Sequence, residues 1–410
     1  MRILYFHQYF STPAGSGGTR SYEMALELVK AGHEVHIICG STRNGNSGLT
    51  GKFLRGKRSG VVDGIHVTEF DVEYSNHDSF LARTIKFLKF AFRSIFIALG
   101  SKHDLIYATS TPLTAAIPGI CAKLLKRSVF VFEVRDLWPE GPEKMGVIKN
   151  PVVLWAMSFL ELVSYRSANA CVGLSPGIVE GIKRRGSRNL PIAMIPNGCD
   201  LALFNSHGLE PKNIEGVVEG DFVAVFTGAH GIANGLDAVL DAASILKSAE
   251  CNHIKLLFIG DGKLKPALLA RKEKEELSNC IFLPPVAKTE LPAYMARADI
   301  ALMVLKNVPA FYYGTSPNKF FDYLAMGKPI LNNYPGWIAD FIESRSLGRV
   351  VSPDSAAEFA DALMELSNQR QDLVEMGKNS SALAKERFSR KDLAGQLVRF
   401  LEMQYQKNKR

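Results

Sequence analysis

Apolar runs alternate with helix-period segments along the 410-residue chain, and this alternation predicts a fold class before any motif does. "RILYF" (2–6) reads as a strand leading into "TRSYEMALELVKAG" (19–32), where Met24, Ala25, Leu28 and Val29 share one helix face and Gly32 is placed to end it. "HEVHIIC" (33–39), "DLIYAT" (104–109), "SVFVFEV" (128–134) and "AMIPNG" (193–198) read as further strands. Strands alternating with helices in this way imply a parallel sheet covered on both faces.

The pattern restarts after the polar patch "NSHGLEPKNIEGVVEGD" (205–221). "FVAVFTG", "IKLLFIG", "CIFLP" and "DIALMVL" alternate with helical segments at "GLDAVLDAASILK", from about Lys263 to Leu277, and at "ELPAYMARA". The expectation is an α/β chain of two doubly wound, Rossmann-like domains, 1–204 and 205–385, closed by the long amphipathic segment "ERFSRKDLAGQLVRFLEMQYQ" within 386–410. Open α/β sheets bind ligands at the carboxyl ends of their strands, so two such domains facing a central cleft would put the chemistry in those loops.

Composition narrows the setting. With 47% hydrophobic and 22% charged residues the chain is globular rather than disordered. Its six cysteines are scattered, with no C-x-x-C pair and no histidine at ligand spacing, which indicates neither a zinc site nor a disulfide framework and suits a reducing cytoplasm. The N-terminus lacks the basic region, apolar run and cleavage site of a signal peptide, so a cytoplasmic protein is expected. The net charge of +8 is uneven: residues 1–210 hold 24 Lys+Arg against 17 Asp+Glu, which asks for an anionic partner of the first half. Nucleic acid explains this poorly, because no recognised binding motif accompanies the modest excess.

Three loops carry candidate chemistry. In "HQYFSTPAGSGGTR", Gly17 and Gly18 allow close backbone approach and Arg20 adds a cation to the first helical turn, which fits a phosphate or a plain glycine turn. A dinucleotide fingerprint is disfavoured, since Arg20 stands where its third glycine is needed and "ICGST" ends strand two without an acid for a ribose. In "FIGDGKLKPALL", Gly260, Asp261 and Gly262 follow a strand and open a helix, a weak signal shared with ordinary turns. In "TSPNKFFDYLAMGKPI" (315–330), Ser316 and Pro317 fit an N-cap and first helical position. The amides of Asn318, Lys319 and Phe320 would then face a diphosphate beside the Lys319 cation, and Asp322 could accept from ribose hydroxyls; the alternative is a capped helix with a surface acid.

The order of "GSGGTR", "SPGIVEGIKRRG", "IPNGCDLALF", "FIGDG", "FLPPV" and "FFDYLAMGKPI" resembles the retaining GT-B glycosyltransferases of glycosyltransferase family 4 over almost the whole chain. "EVRDLWPE" (133–140) resembles the branch that builds bacterial surface polysaccharides, including N-acetylfucosamine transferases of O-antigen and capsule assembly. The resemblance implies a GT-B fold, a UDP-sugar donor, no cofactor, and a last helix that crosses back to the first domain. Asp322 matches the second acid of the family's E-x7-E motif, which holds the ribose in relatives, and the base would be read by backbone near Pro285 and Val286. Retention implies that the leaving UDP stays on the face the acceptor attacks, with no strong protein nucleophile. No Asp-x-Asp occurs in the sequence, so a metal-bridged diphosphate is not indicated.

Three departures qualify the match. Where the first Glu of the motif contacts the donor sugar, this chain has Gly314, leaving Thr315, Ser316 or Asn318 to replace it and favouring a deoxy or N-acetylated sugar. In "TGAHGIANGLD" (227–237), His230 and Asn234 stand where relatives place Arg and Lys, so Lys319 becomes the expected diphosphate cation, with a surface lysine as the alternative. At "VRD", Arg135 and Asp136 replace a His and the Asp after it. Arginine cannot be a base, so Arg135 would bind phosphate or pair with Asp136. His7, Arg20, Arg135 and Asp136 form the expected acceptor side.

The acceptor expected from the resemblance is a polyprenyl-diphosphate-linked saccharide at an anionic membrane surface on the inner face of the plasma membrane. In "FLARTIKFLKFAFRSIFIAL" (80–99), Arg83, Lys86, Lys89 and Arg93 recur along one stripe while apolar residues fill much of the rest. That pattern fits a helix lying in the membrane surface or a core helix with a basic face. Two further classes stay open: a nucleotide-sugar epimerase of the same architecture, which needs no acceptor, and a non-catalytic nucleotide-sugar binding protein.

Overall fold

The computed structural model describes residues 1–409 except 44, 76–77 and 206–207; Ser206 and His207 of the polar patch therefore lie outside the described residues. The chain divides into two compact units. The first comprises Met1–Asn197, Tyr313–Ser316 and Arg390–Arg410, and the second Gly198–Tyr312 and Pro317–Ser389.

The first unit is built on eight strands: β1 (Arg2–Phe6), β2 (Glu34–Thr42), β3 (Lys57–Val62), β4 (Ile65–Tyr74), β5 (Leu105–Thr109), β6 (Val129–Val134), β7 (Ala170–Gly173) and β8 (Ile192–Met194). Their order is β3-β4-β2-β1-β5-β6-β7-β8, parallel throughout except for the antiparallel β3–β4 pair. Central strand β1 is flanked by β2, with Ile3 beside Val35, and by β5, with Ile3 beside Leu105. Every residue of β5 and β6 is buried, because both faces of the sheet are covered. Met24 and Leu28 of helix Arg20–Lys30 and Leu393, Leu397 and Leu401 of helix Arg390–Lys409 pack on one face; Phe90, Ala98 and Ile120 pack on the other.

The second unit holds β9 (Phe222–Thr227), β10 (Ile254–Ile259), β11 (Cys280–Leu283), β12 (Ile300–Met303), β13 (Ile330–Asn332) and β14 (Gly348–Val350). These run all parallel in the order β11-β10-β9-β12-β13-β14. Helices Asp237–Ser248 and Ala356–Asn368 bury Val239, Leu240, Leu363 and Leu366 against one face. Both sheets have the Rossmann-like α/β arrangement expected of each half.

The long helix expected over 386–406 is present as Arg390–Lys409, starting four residues later because residues 386–387 end the preceding helix Arg370–Arg387. The two are separated where the Cys199 amide donates to the Phe388 carbonyl at 2.6 Å and Cys199 forms a β-bridge with Ser389. Within the first unit, Arg390 is buried and pairs with Glu23, and it donates to Thr19 Oγ1 at 3.0 Å, which ties the last helix to the first.

Candidate functional site

In the second unit, loops at the carboxyl ends of β9, β10 and β11 converge on the start of helix Asn318–Ala325. The Thr227 amide donates to the buried Tyr323 hydroxyl at 3.0 Å, fixing that helix to the end of β9. The β9 and β10 loops touch through backbone. A Cβ on Gly260 (φ 149°) would meet the Gly228 carbonyl oxygen at 1.9 Å, and one on Gly262 would meet the His230 carbonyl oxygen at 2.6 Å. Asp261 closes the turn by accepting from the Gly262 amide (2.8 Å), and the His230 amide donates to the Asp261 carbonyl at 2.9 Å. Lys265 seals the base of this loop by donating at 2.7 Å to the carbonyls of Gly260 and Leu283.

Lys319 lies at the centre of this edge. Its ammonium donates to Asn234 Oδ1 at 2.9 Å and sits 3.8 Å over the Phe226 ring. Asn234 is held in turn by donating to the Ala229 carbonyl at 2.7 Å. Burial lowers the lysine to about 7, so its charge at neutral pH depends on what approaches it. The helix start differs from the expected capping: Pro317 is the N-cap and no side chain caps the first turn. Ser316 belongs to the first unit, where its Oγ accepts from the Asn197 amide (3.1 Å) and its carbonyl from Asn197 Nδ2 (2.6 Å). Thr315 and Gly314 lie in the same segment, and a Cβ on Gly177 would meet the Tyr313 carbonyl at 2.6 Å. The Phe320 amide bonds the Pro317 carbonyl at 3.2 Å, so the amides that open the helix are those of Asn318 and Lys319.

Asp322 is buried and forms an ion pair with Lys288, itself buried and 4.7 Å from the Phe204 ring centroid. Its Oδ1 has no partner, and neither has Oδ1 of Asn318. Lys288 escapes sequence reasoning because it lies in the irregular "PPVAKTE", 34 residues before its partner. Val286, half-buried, precedes it in the same loop.

His230 is enclosed by aromatic rings below the same edge. Its ring is buried among Phe226, Phe258 and Phe282 at centroid distances of 6.1, 6.4 and 5.8 Å, and neither ring nitrogen has a partner. Burial first, then Lys265 and Lys319, lower it to about 4, so it is neutral at pH 7 and supplies no positive charge.

In the first unit, Arg20 has partners other than the expected phosphate. Fully buried, its guanidinium donates to Glu133 at 2.8 and 3.1 Å and to the carbonyls of Pro196 (2.6 Å) and Ile195 (2.9 Å). Tyr107 and Thr109 also donate to Glu133, at 2.6 and 2.7 Å. Burial alone would raise the Glu133 carboxyl, but Arg20, Arg135 and the Tyr107 hydroxyl outweigh it and hold the group at about 2. Arg135 donates to Nε2 of buried His7 at 3.2 Å, while Asp136 accepts from Thr111 at 3.1 Å. Burial, then Arg135, hold His7 well below its ordinary value, as a neutral imidazole. Gly17 is half-buried against Ser11, in a loop that Thr12 and Asn46 pin by a 2.7 Å backbone bond; Gly18 follows it immediately before Thr19.

Helix Phe80–Gly100 of the first unit has three faces. Phe90, Ala91, Ser94 and Ala98 are buried. Arg93 donates to the Gly56 carbonyl at 2.8 Å and Lys86 pairs with Asp78 at 2.8 Å, with Arg83 and Lys89 on the same flank. The third face is apolar and open to solvent: Leu81, Ile85, Leu88, Phe92 and Phe96 are 48–68% exposed. No helix among the described residues is long and apolar enough to cross a membrane, and among them no cluster of three or more His, Cys, Asp or Glu could hold a metal ion.

Residues 15–198 match the model of the glycosyl transferase 4-like domain, and residues 221–369 that of the glycosyl transferases group 1 domain. With the two Rossmann-like sheets, these matches define the class: the chain carries glycosyltransferase domains on a GT-B fold. A D-inositol 3-phosphate glycosyltransferase of Pseudarthrobacter chlorophenolicus is 25% identical over 228 residues, 53% of this chain and 52% of that protein. The chain thus spans about half the length of the curated relative it matches. Sucrose-phosphate synthase from Thermosynechococcus elongatus superposes over 98% of both chains with a TM-score of 0.74 at 15% identity. Anabaena HepE, solved with UDP and glucose, covers 98% of this chain and 99% of its own with a TM-score of 0.68 at 17% identity. At these identities the structural likeness concerns the fold.

Proposed function

We propose that this chain is a retaining, metal-independent glycosyltransferase that moves a deoxy or N-acetylated sugar from a UDP-sugar to a polyprenyl-diphosphate-linked saccharide in bacterial surface-polysaccharide (O-antigen or capsule) assembly. The observation that carries the reading is the helix start of the second unit, where two open amides, the Lys319 ammonium and the unpartnered oxygens of Asn318 and Asp322 gather at one sheet edge. Amides and ammonium suit a diphosphate, and a ribose hydroxyl would satisfy Asp322 Oδ1. HepE was solved with UDP, which supports uridine as the base. As UDP leaves, Lys319 and the helix start stabilise the developing charge, so no separate cation is required at that step. Gly314 leaves the donor-sugar contact to neighbouring groups, which supports a sugar other than the usual hexoses.

The lipid-linked acceptor and a peripheral place on the inner membrane face rest on the open apolar stripe of helix Phe80–Gly100 with its basic flank. Arg135 and His7 are the groups proposed to meet the acceptor. The test is product analysis with UDP-sugars, with and without a polyprenyl-diphosphate saccharide, paired with thermal shift by UDP, GDP, ADP and NAD. Acceptor-dependent transfer with retained anomeric configuration, and stabilisation by UDP alone, is the expected result. Conversion of the nucleotide sugar without acceptor would make the chain an epimerase. UDP binding without turnover under either condition would make it a binding protein.

A further inference from the structure

A cavity of about 620 Å³ opens in the first unit among the segment Leu137–Lys144, helix Pro151–Ser167 and helix Pro176–Arg185. It uses none of the residues assigned above. Two of the three tryptophans of the chain line it. Trp155 is 69% exposed and stacks on Phe159 with the ring planes 11° apart, presenting an open aromatic face. Trp138 contributes a buried indole N–H with no acceptor.

The charged lining is balanced. Glu140, Glu143 and Glu161 provide acceptors, and Lys144, Arg184 and Arg185 provide donors. Arg185 is committed to Glu161 at 2.9 Å and to the Ser158 carbonyl, which stiffens the floor. Arg184 reaches Glu140 only at 3.8 Å, and Lys144 makes no ion pair among the described residues. These charges cancel only formally, since burial pushes the Glu161 carboxyl up to about 7; a pocket ringed by donors and acceptors disfavours a purely apolar guest.

We propose that this cavity is a saccharide-binding site, taking one or two pyranose units of a glycan. A pyranose has an apolar C–H face, which suits the Trp155 ring, and a rim of hydroxyls that both donate and accept. Those hydroxyls complement the carboxylate and guanidinium rim and give the Trp138 N–H its missing acceptor. The inference rests on the glycosyltransferase reading only in that such a chain meets glycans as substrate or product. Its role would be to hold a glycan at a second point, raising the effective concentration of the chain end.

The test is tryptophan emission of the full chain titrated with methyl glycosides of N-acetylglucosamine, N-acetylgalactosamine and L-fucose, and with a disaccharide. A saturable change is expected, weakened about tenfold in Trp155→Ala and reduced in Arg184→Ala, both at exposed positions where folding is not at stake. Absence of any saturable change in the wild type, or a change undiminished in both variants, overturns the proposal. The UDP thermal shift is run on the same samples. A saccharide response without a UDP shift would unseat the donor site and keep this one, and a UDP shift without a saccharide response would do the reverse.

Discussion

Lys288 and Asp322 form an ion pair that is almost completely removed from solvent, with the Lys288 ammonium also lying over the Phe204 ring. Removing one member of such a pair leaves an uncompensated buried charge, which costs on the order of 3–5 kcal/mol, whereas removing both costs far less. Asp322→Ala and Lys288→Ala should each lower the urea midpoint strongly, and Lys288→Met with Asp322→Leu should recover most of the loss. A double variant as unstable as the sum of the singles would show that the two side chains act independently. The pair also bears on the donor site, since nucleotide binding by Asp322→Ala must be measured where that variant remains folded.

Lys319 should make nucleotide binding proton-linked. Its buried ammonium is lowered to about 7 from an ordinary 10.5, so at pH 8 the free protein is largely neutral there. A diphosphate beside it favours the charged form, so binding takes up a proton and affinity weakens as pH rises above about 7. Calorimetry of UDP binding at pH 8 in buffers of different ionisation enthalpy should show that uptake in the wild type and its loss in Lys319→Met. Turnover should fall by about 2–4 kcal/mol of transition-state stabilisation in the same variant. In the free protein the sign reverses. The unfolded chain binds the extra proton between about 7 and 10.5, so Lys319 makes stability rise with pH across that window.

Glu133 predicts an acid limit. Its carboxyl is held at about 2 against an ordinary 4.5, so the stabilisation from its pairing with Arg20 is complete above 4.5 and is lost as pH falls toward 2. Glu133→Gln should therefore remove the acid-dependent loss in that window, while costing about 3–5 kcal/mol at pH 7 because Arg20 stays buried and unpaired. Chemical denaturation at a series of pH values measures both effects.

How much of this was legible in the sequence depends on whether the determining pattern is local. Strands β1, β5, β6, β9 and β10 are continuous apolar runs, and they stand within about two residues of where the pattern puts them. The β3–β4 pair escaped because Lys57–Val62 is an edge strand of mixed polarity, and β7, β13 and β14, at three or four residues each, are too short for a period to show. The helix mouth at Pro317–Lys319 was visible as local chemistry, but the cap was misplaced because Ser316 is claimed by Asn197, 119 residues away. Lys288 with Asp322 and Arg20 with Glu133 are likewise long-range pairs. Only Glu133, one acid inside the apolar run "VFVFEV", carried a local hint that a buried cation would answer it.

The open stripe on helix Phe80–Gly100 yields the most direct test of a membrane surface. On a helix held by tertiary packing, Phe90 and Ala98 fasten the core side, so substituting the opposite face changes what the surface meets and leaves the fold intact. Exposed leucine and phenylalanine recur at three- and four-residue spacing, with Phe92 edge to face on Phe96 at 5.0 Å within the stripe itself, and similar exposure recurs at Leu124 and Leu125 of the helix packed beside it. Inserted in an interface, the stripe would bury its apolar area while Lys89 and Arg83 on the flank meet anionic headgroups. Flotation with vesicles containing an anionic lipid should therefore carry the wild type upward, more weakly at high salt. Leu88→Ser with Phe92→Ser should abolish it, with the thermal midpoint and UDP response unchanged. Equal flotation of that variant, or no dependence on anionic lipid, would assign the stripe to some other partner.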